Sequence, residues 1–420
     1  MHPGQAWHTL LPRMRWFAGK SRVIAEVVLT PLPWATAEGA WPAVRTEMLD
    51  VRYADGGTET YHLISAYRRD GIDGLTLAIV DVDGLGSVAL SDAAADPDAF
   101  AAYAASVDID PLVELWARPQ PLGVEQSNSS VRIAANALFK VLRRPQVGGQ
   151  RELELLTRLA DSGVTPRIFG STWSSEGALT GVVMEFISSV GDGWQLATSA
   201  CRNGTDFRGP AAELGRALRL VHRRLATPTA DDPGTTTVAG SQLTDELIGR
   251  LSTAVDELPQ IAELASALRA VYEAVAQTPV AVHQIHGDFH LGQALYRADA
   301  NGWALIDFEG EPLVSVGERN RPDSPWRDVA GALRSFDYVR GAQAQPDSAA
   351  VRAWAASAQD AFLAGYADGE TIPEALLRAY VLDKAVYEVR YETSNRPEWV
   401  HIPLETVQDE LTGARRRDNK

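Results

Sequence analysis

His286-Gly-Asp288-Phe-His290-Leu-Gly-Gln293 and, shortly after it, Leu305-Ile-Asp307-Phe-Glu309-Gly310 are the stretches that decide the reading of this 420-residue chain. The two aspartates lie 19 positions apart, each close to a glycine. Asp288 sits in a loop-like run. Asp307 ends the apolar run Trp303-Ala-Leu-Ile306, so it is expected at a strand tip, where a carboxylate can face a cleft. Phosphoryl transfer needs one carboxylate to take the acceptor's hydroxyl proton, and a second with an amide oxygen to hold a metal across the phosphates. Asp288 suits the first role, Gln293 and Asp307 the second. An oxygen-only donor set suits a hard cation such as Mg²⁺. A lone His-Gly-Asp is a common turn, and a lone Ile-Asp-Phe says no more. The order, the spacing and the helical stretch downstream together turn the reading toward chemistry.

Working outward, residues 1–105 form a β-rich segment. AEVVLTPL, RTEMLDVRYADGG, TETYHLISAYRR and LTLAIVDVDG are rich in Val, Ile, Thr and Tyr and are broken by Asp-Gly and Gly-Gly turns, notably at 55–57. Residues 106–190 read as a second β-rich unit. SSVRIAANALFKVLRR makes two strands about Ala135-Asn136, QRELELLTRLADSG makes a helix ending at Gly163, and GALTGVVMEFI makes a strand. Residues 191–420 are mostly helical, with amphipathic runs in AAELGRALRLVHRRLA, TDELIGRLSTAVDELPQIAELASALRAVYEAVA, DSAAVRAWAASAQDAFLAGYA and PEALLRAYVLDKAVYEVRYET, and one β-like island at 280–310. The expected class is a two-lobe α+β protein.

Composition narrows the function. Thirty-nine basic against 55 acidic residues give a net charge of −16, which argues against a nucleic-acid backbone binder. The single cysteine, Cys201, excludes an intramolecular disulfide and a thiolate metal cluster. The N-terminal MHPGQAWHTLLPRMRW lacks a signal-peptide pattern, and no run approaches 20 apolar residues. The expectation is a cytoplasmic protein with no membrane partner, with a monomer as the default state.

HGDFHLGQ and IDFEG resemble the catalytic and metal-binding loops of the aminoglycoside phosphotransferase and eukaryotic-like kinase superfamily, with Gln293 where Asn is usual. RMRWFAGK (13–20), EQSNSSV (125–131), LFKVLRR (138–144), RPDSPWRDVAGALRSFDY (321–338) and DKAVYEVRYETSNRPEW (383–399) resemble actinobacterial maltokinases and the related glucosamine kinases, in family order. The resemblance implies a bilobal protein-kinase-like fold with an N-terminal β-rich cap, using ATP and Mg²⁺. It implies that Asp288 is the base, Gln293 and Asp307 the metal ligands, and Lys140 the phosphate contact. Read alone, Lys140 is a strand-end lysine. Glu154 matches the glutamate that pairs with this lysine, and Glu152 competes for that role. Ser127, Asn128 and Ser129 belong to a polar turn that the resemblance lays over the nucleotide, and Met184 to Ile187, with Glu185 and Ile187, line the adenine.

Tyr387, Glu388, Tyr391 and Glu392 fall at i, i+1, i+4 and i+5, placing two acid–aromatic pairs on one helical face. That pattern also describes an amphipathic helix with its tyrosines packed inside. The resemblance makes the region a sugar site, with Asp288, His290, Glu388, Tyr391, Glu392 and Trp399 as substrate contacts. Arg321, Asp323, Arg327 and Asp328 read as a charged cluster, with the last two in structural support. The chain carries Val147-Gly-Gly-Gln-Arg151 and a short stretch after Gly193-Trp194, which depart from maltokinases. Acids near the base suit a cationic amine. The expected reaction is transfer of the ATP γ-phosphate to the 6-hydroxyl of D-glucosamine. The alternatives are a maltokinase making maltose 1-phosphate and a silent kinase fold that senses sugar or nucleotide.

Overall fold

The computed structural model describes residues 1–123, 128–298, 302–311 and 314–413. Among these the chain forms two compact units, one from residues 1–157 with 166–187, the other from residues 158–165 with the chain from 188 onward.

The first unit opens with α1 (Pro3–Leu10), followed by β1 (Ile24–Trp34), β2 (Ala43–Tyr53), β3 (Thr58–Arg68), β4 (Ala78–Val82) and β5 (Gly86–Asp92). They make one antiparallel sheet in the order β1-β2-β3-β5-β4. The period of two along β3 explains its continuous apolar sequence. Tyr61, Leu63 and Tyr67 pack with Trp7, Trp16 and Phe17 on one side. Ile64 and Ala66 point the other way, into a second core. That core also takes Phe100 and Tyr103 of α2 (Pro97–Ala104) and Val131, Phe139 and Val141 of the next sheet.

This next sheet holds β6 (Gln120–Leu122), β7 (Asn128–Ala134), β8 (Ala137–Leu142), β9 (Ile168–Trp173) and β10 (Leu179–Glu185), in the order β6-β7-β8-β10-β9. Ala135-Asn136 is the two-residue turn between β7 and β8, as the sequence predicts. Helix α3 (Arg151–Arg158) follows β8.

In the second unit β11 (Ser189–Asp192) leads into α4 (Gly193–Asn203) and α5 (Arg208–Leu225). After β12 (Thr236–Val238) come α6 (Gly240–Glu257), the short α7 (Pro259–Ala262), α8 (Ala265–Glu273) and β13 (Val280–Val282). The strand-like island at 280–310 is β13 with β14 (Ala294–Arg297) and β15 (Trp303–Leu305), and β14 lies between β11 and β15 in a small sheet. The chain ends with α9 (Val316–Arg319), α10 (Trp326–Gly341), α11 (Ala349–Ala367), α12 (Glu374–Asn395) and α13 (His401–Thr412). Helix α10 is buried along nearly its whole length, from Asp328 to Arg340, and organises the unit around itself.

Candidate active site

The HGDFHLGQ run is an irregular loop between β13 and β14, and its shape is held from beneath by α10. Both oxygens of the Asp328 carboxylate are used on backbone: Oδ2 accepts the His286 N–H at 2.7 Å and Oδ1 accepts the Gly287 N–H at 2.9 Å. Oδ2 also lies 2.9 Å from His222 Nε2. Burial alone would raise the Asp328 pKa. The bonds and charges of His222, His286 and Gly287 overcome it and bring it down to about 2. The expectation that Asp328 supports rather than reacts agrees with this placement: a fixed anion pins the two amides that precede Asp288.

The loop is tied to the next strand through His286. Its Nε2 donates to the Ile306 carbonyl at 2.9 Å, and its ring packs 4.5 Å from Phe308. Burial pushes the His286 pKa down against the pull of Asp328, so the imidazole stays neutral. Nδ1 is then free to accept the Asp288 N–H at 3.4 Å. Farther along, Phe289 is buried, and its carbonyl oxygen sits where a Cβ at Gly331 of α10 would be only 2.3 Å away. Only glycine on that face of α10 lets the loop come so close.

His290 caps the tight turn that follows, its Nδ1 accepting the Gly292 N–H at 3.1 Å. The turn delivers Gln293, and β15 delivers Asp307, which takes φ of +66°, a left-handed conformation that costs a non-glycine residue strain and is found at functional sites. Gln293 Nε2 donates to Asp307 Oδ2 at 2.8 Å. The two side chains expected to hold a cation are thus already in contact. An amide and a carboxylate offer hard oxygen donors, a set that fits Mg²⁺.

One more group flanks Asp288, and the sequence reading missed it. Lys384, from α12, places its Nζ 3.6 Å from Asp288 Oδ1 and 3.9 Å from Glu311 Oε1. Glu311 in turn accepts from Arg327 at 2.9 Å, and Arg327 also donates to Asp323 at 2.8 Å. Lys384 was legible only as part of the DKAVYE block. Its position one helical turn before Glu388 was the available signal, because that spacing puts both on one helix face.

The acid stripe of α12 behaves differently from expectation. Glu388 is bonded by the buried Arg334 at 2.8 Å, and burial raises its pKa despite Arg334 and Lys384. Glu392 is 1% exposed. It accepts the Tyr338 hydroxyl at 2.9 Å and a two-pronged bond from Arg396 at 2.6 and 2.8 Å. Its carboxylate is used up inside the protein, so Glu392 is corrected from sugar contact to prop. What it props is aromatic. Tyr338 stacks on Trp399 at 6.0 Å, and Trp194 lies 6.5 Å from Trp399. Tyr391 is 39% exposed, and the Arg396 guanidinium covers Trp399 at 5.0 Å.

In the first unit Lys140 is buried at the centre of β8. Its Nζ meets Glu152 Oε2 at 2.9 Å, while Glu154 points to solvent. The pairing expected for Glu154 is therefore corrected to Glu152. On α3 positions 152, 155 and 156 share the buried face, and 154 falls opposite. Asn128 opens β7, and Ser129 after it accepts from Arg143 Nε at 2.9 Å. Ser127 lies outside the described residues. Glu185 ends β10, where its N–H bonds Arg167 O, and Ile187 is buried at the point where the chain leaves the first unit.

Comparison with known proteins adds to this geometry. The model of the phosphotransferase enzyme family matches residues 118–368, and that of the maltokinase N-terminal cap domain matches residues 10–96. A glucosamine kinase of Streptacidiphilus jiangxiensis is 32% identical over 327 residues, 69% of this chain and 72% of that one. A glucosamine kinase of Mycolicibacterium smegmatis is 28% identical over 327 residues, 70% of this chain and 80% of its own length. The fold matches the solved structure of a glucosamine kinase in complex with glucosamine, ADP and inorganic phosphate, with a TM-score of 0.66 at 23% identity, over 97% of this chain and 99% of that one.

Proposed function

Because the chain belongs to the phosphotransferase enzyme family and carries a maltokinase-type N-terminal cap, we propose that this kinase transfers the γ-phosphate of ATP to the 6-hydroxyl of D-glucosamine, giving glucosamine 6-phosphate and ADP. The observation that carries the reading is the placement of Asp288. Its loop is pinned by Asp328 through two backbone amides, and the same loop leads to the Gln293–Asp307 pair.

The chemistry follows from those positions. Asp288 accepts the proton of the sugar hydroxyl as the oxygen attacks phosphorus. Gln293 and Asp307 would hold Mg²⁺, whose charge would offset that of the nucleotide phosphates. Lys140, fixed by Glu152, steadies the phosphates. The residues need do little else, since phosphoryl transfer is mostly positioning and charge compensation. Trp194, Tyr391 and Trp399 offer aromatic groups to a sugar ring, with the acid Glu388 in the electrostatic reach of Lys384.

A coupled ADP-release assay with ATP and Mg²⁺ tests the reading, with glucosamine, glucose, N-acetylglucosamine and maltose side by side. Preference for glucosamine is expected. Preference for maltose would replace the acceptor. Nucleotide binding with no turnover on any sugar would favour a sensor. In the same assay Asp288→Asn should lower kcat by about 10²–10⁴-fold, the scale of a general base. Undiminished turnover would remove Asp288 from that role.

A further inference from the structure

Lys384 stands beside the carboxylate assigned as the base. It comes from α12, 96 residues after Asp288 in the chain. Its Nζ stands 3.6 Å from Asp288 and 3.9 Å from Glu311, both beyond the 2.7–2.9 Å typical of a closed ammonium–carboxylate bond. The ammonium therefore bridges two carboxylates without being committed to either. The neighbouring cations are tied up: Arg327 bonds Asp323 and Glu311, and Arg334 bonds Glu388 and Asp337. Lys384 and Asp288 keep 26% and 23% of their side-chain surfaces open, so solvent-side molecules can reach both. Burial would lower the lysine pKa, but Asp288, Glu311 and Glu388 outweigh it and raise it, so the group is an ammonium at neutral pH.

A phosphoryl group in flight carries negative charge toward a site whose base is itself negative. From this arrangement we infer that Lys384 is a catalytic residue that draws the transferred phosphoryl group toward the acceptor oxygen held by Asp288. The inference rests on the sugar-kinase reading of the same site. The acceptor oxygen gives its proton to the Asp288 carboxylate and forms the new O–P bond. The bond from the γ-phosphorus to the bridging oxygen breaks, and its electron pair leaves on ADP. Lys384 stays protonated throughout and only donates hydrogen bonds. Its charge also repels an acceptor's ammonium group from this corner, so an amino sugar enters with a neutral hydroxyl leading.

The test uses the full chain with ATP, Mg²⁺ and D-glucosamine. Lys384→Met should lower kcat by about 10²–10³-fold, the cost of losing one transition-state donor. The KM values for ATP and sugar should stay within about threefold, since the missing bond strengthens in transit. Lys384→Arg should recover at least tenfold of the loss. Lys384→Ala should regain turnover with added methylammonium in a saturable manner, a response that a packing role would not give. The thermal midpoint of each variant separates lost folding from lost chemistry. A kcat of Lys384→Met within threefold of the parent overturns the inference. So does a loss in well-folded variants that neither arginine nor methylammonium restores. An active Asp288→Asn would instead overturn the underlying assignment of the base, which makes the two failures distinguishable.

Discussion

Asp307 and Glu152 are side chains whose roles depend on an angle rather than on a residue type. Asp307 is recognisable in sequence from its strand-tip position, and its φ of +66° places its carboxylate against Gln293. Glu152 and Glu154 differ by two positions on one helix. A helix turns about 100° per residue, so two positions turn a side chain through more than half a circle. That rotation sends one to Lys140 and the other to solvent. Glu152→Gln should therefore lower kcat/KM for ATP by at least tenfold, because it removes the carboxylate that holds the buried Lys140 ammonium at 2.9 Å. Glu154→Gln should change it less than twofold. Steady-state kinetics of the two single variants checks the contrast, and equal effects would reverse the pairing.

At the scale of elements, α10 holds the HGDFHLGQ loop in place. Asp328 contributes stability that depends on pH, with a definite sign. Its folded pKa, about 2, lies below the ordinary 3.8, so the contribution is present above about pH 4 and is lost as pH falls toward 2. The shift corresponds to about 2 kcal/mol. Asp328→Asn should be less stable than the parent at pH 7 in urea, and the gap should close as pH drops from 5 toward 2. A gap that stays constant would place the stabilisation elsewhere. Gly331 acts on the same loop from the next turn. Alanine ordinarily stabilises a helix interior relative to glycine by about 1 kcal/mol. Here its Cβ would press on the Phe289 carbonyl at 2.3 Å. Gly331→Ala is expected to cost about 1–3 kcal/mol and to lower kcat tenfold or more, because the displaced backbone carries Asp288. Helix α10 itself was invisible as a periodic pattern. A helix buried on all sides has no polar face to alternate with, so its sequence, with Asp328, Arg334, Asp337 and Arg340 all inside, reads as charged and irregular.

For the molecule as a whole, no helix among the described residues is long and apolar enough to cross a membrane. A ligand that binds only the native state raises stability by mass action. D-glucosamine at 100 times its dissociation constant should stabilise the protein by about 2.7 kcal/mol, read as a higher thermal midpoint, and maltose at equal concentration should raise it less. Equal shifts would argue for a sugar site that does not discriminate between the two.

The chain's own order of residues left β5, β6 and β9 unread but was enough to single out the two aspartates and Gln293, strands β1 to β4, β7, β8 and β10, the turn at Ala135-Asn136 and the amphipathic helices α5, α6, α11 and α12. These depend on spacing and on polar–apolar alternation, which are local properties. Tertiary structure alone decided what reaches these residues from far along the chain. It brought Lys384 to Asp288, chose Glu152 over Glu154, and consumed Glu392 on Tyr338 and Arg396. The physical reason is common to the three. Whether a carboxylate or an ammonium is a reagent or a buried counter-ion depends on the charges that packing sets beside it, and no pattern of neighbours along the chain encodes that distance.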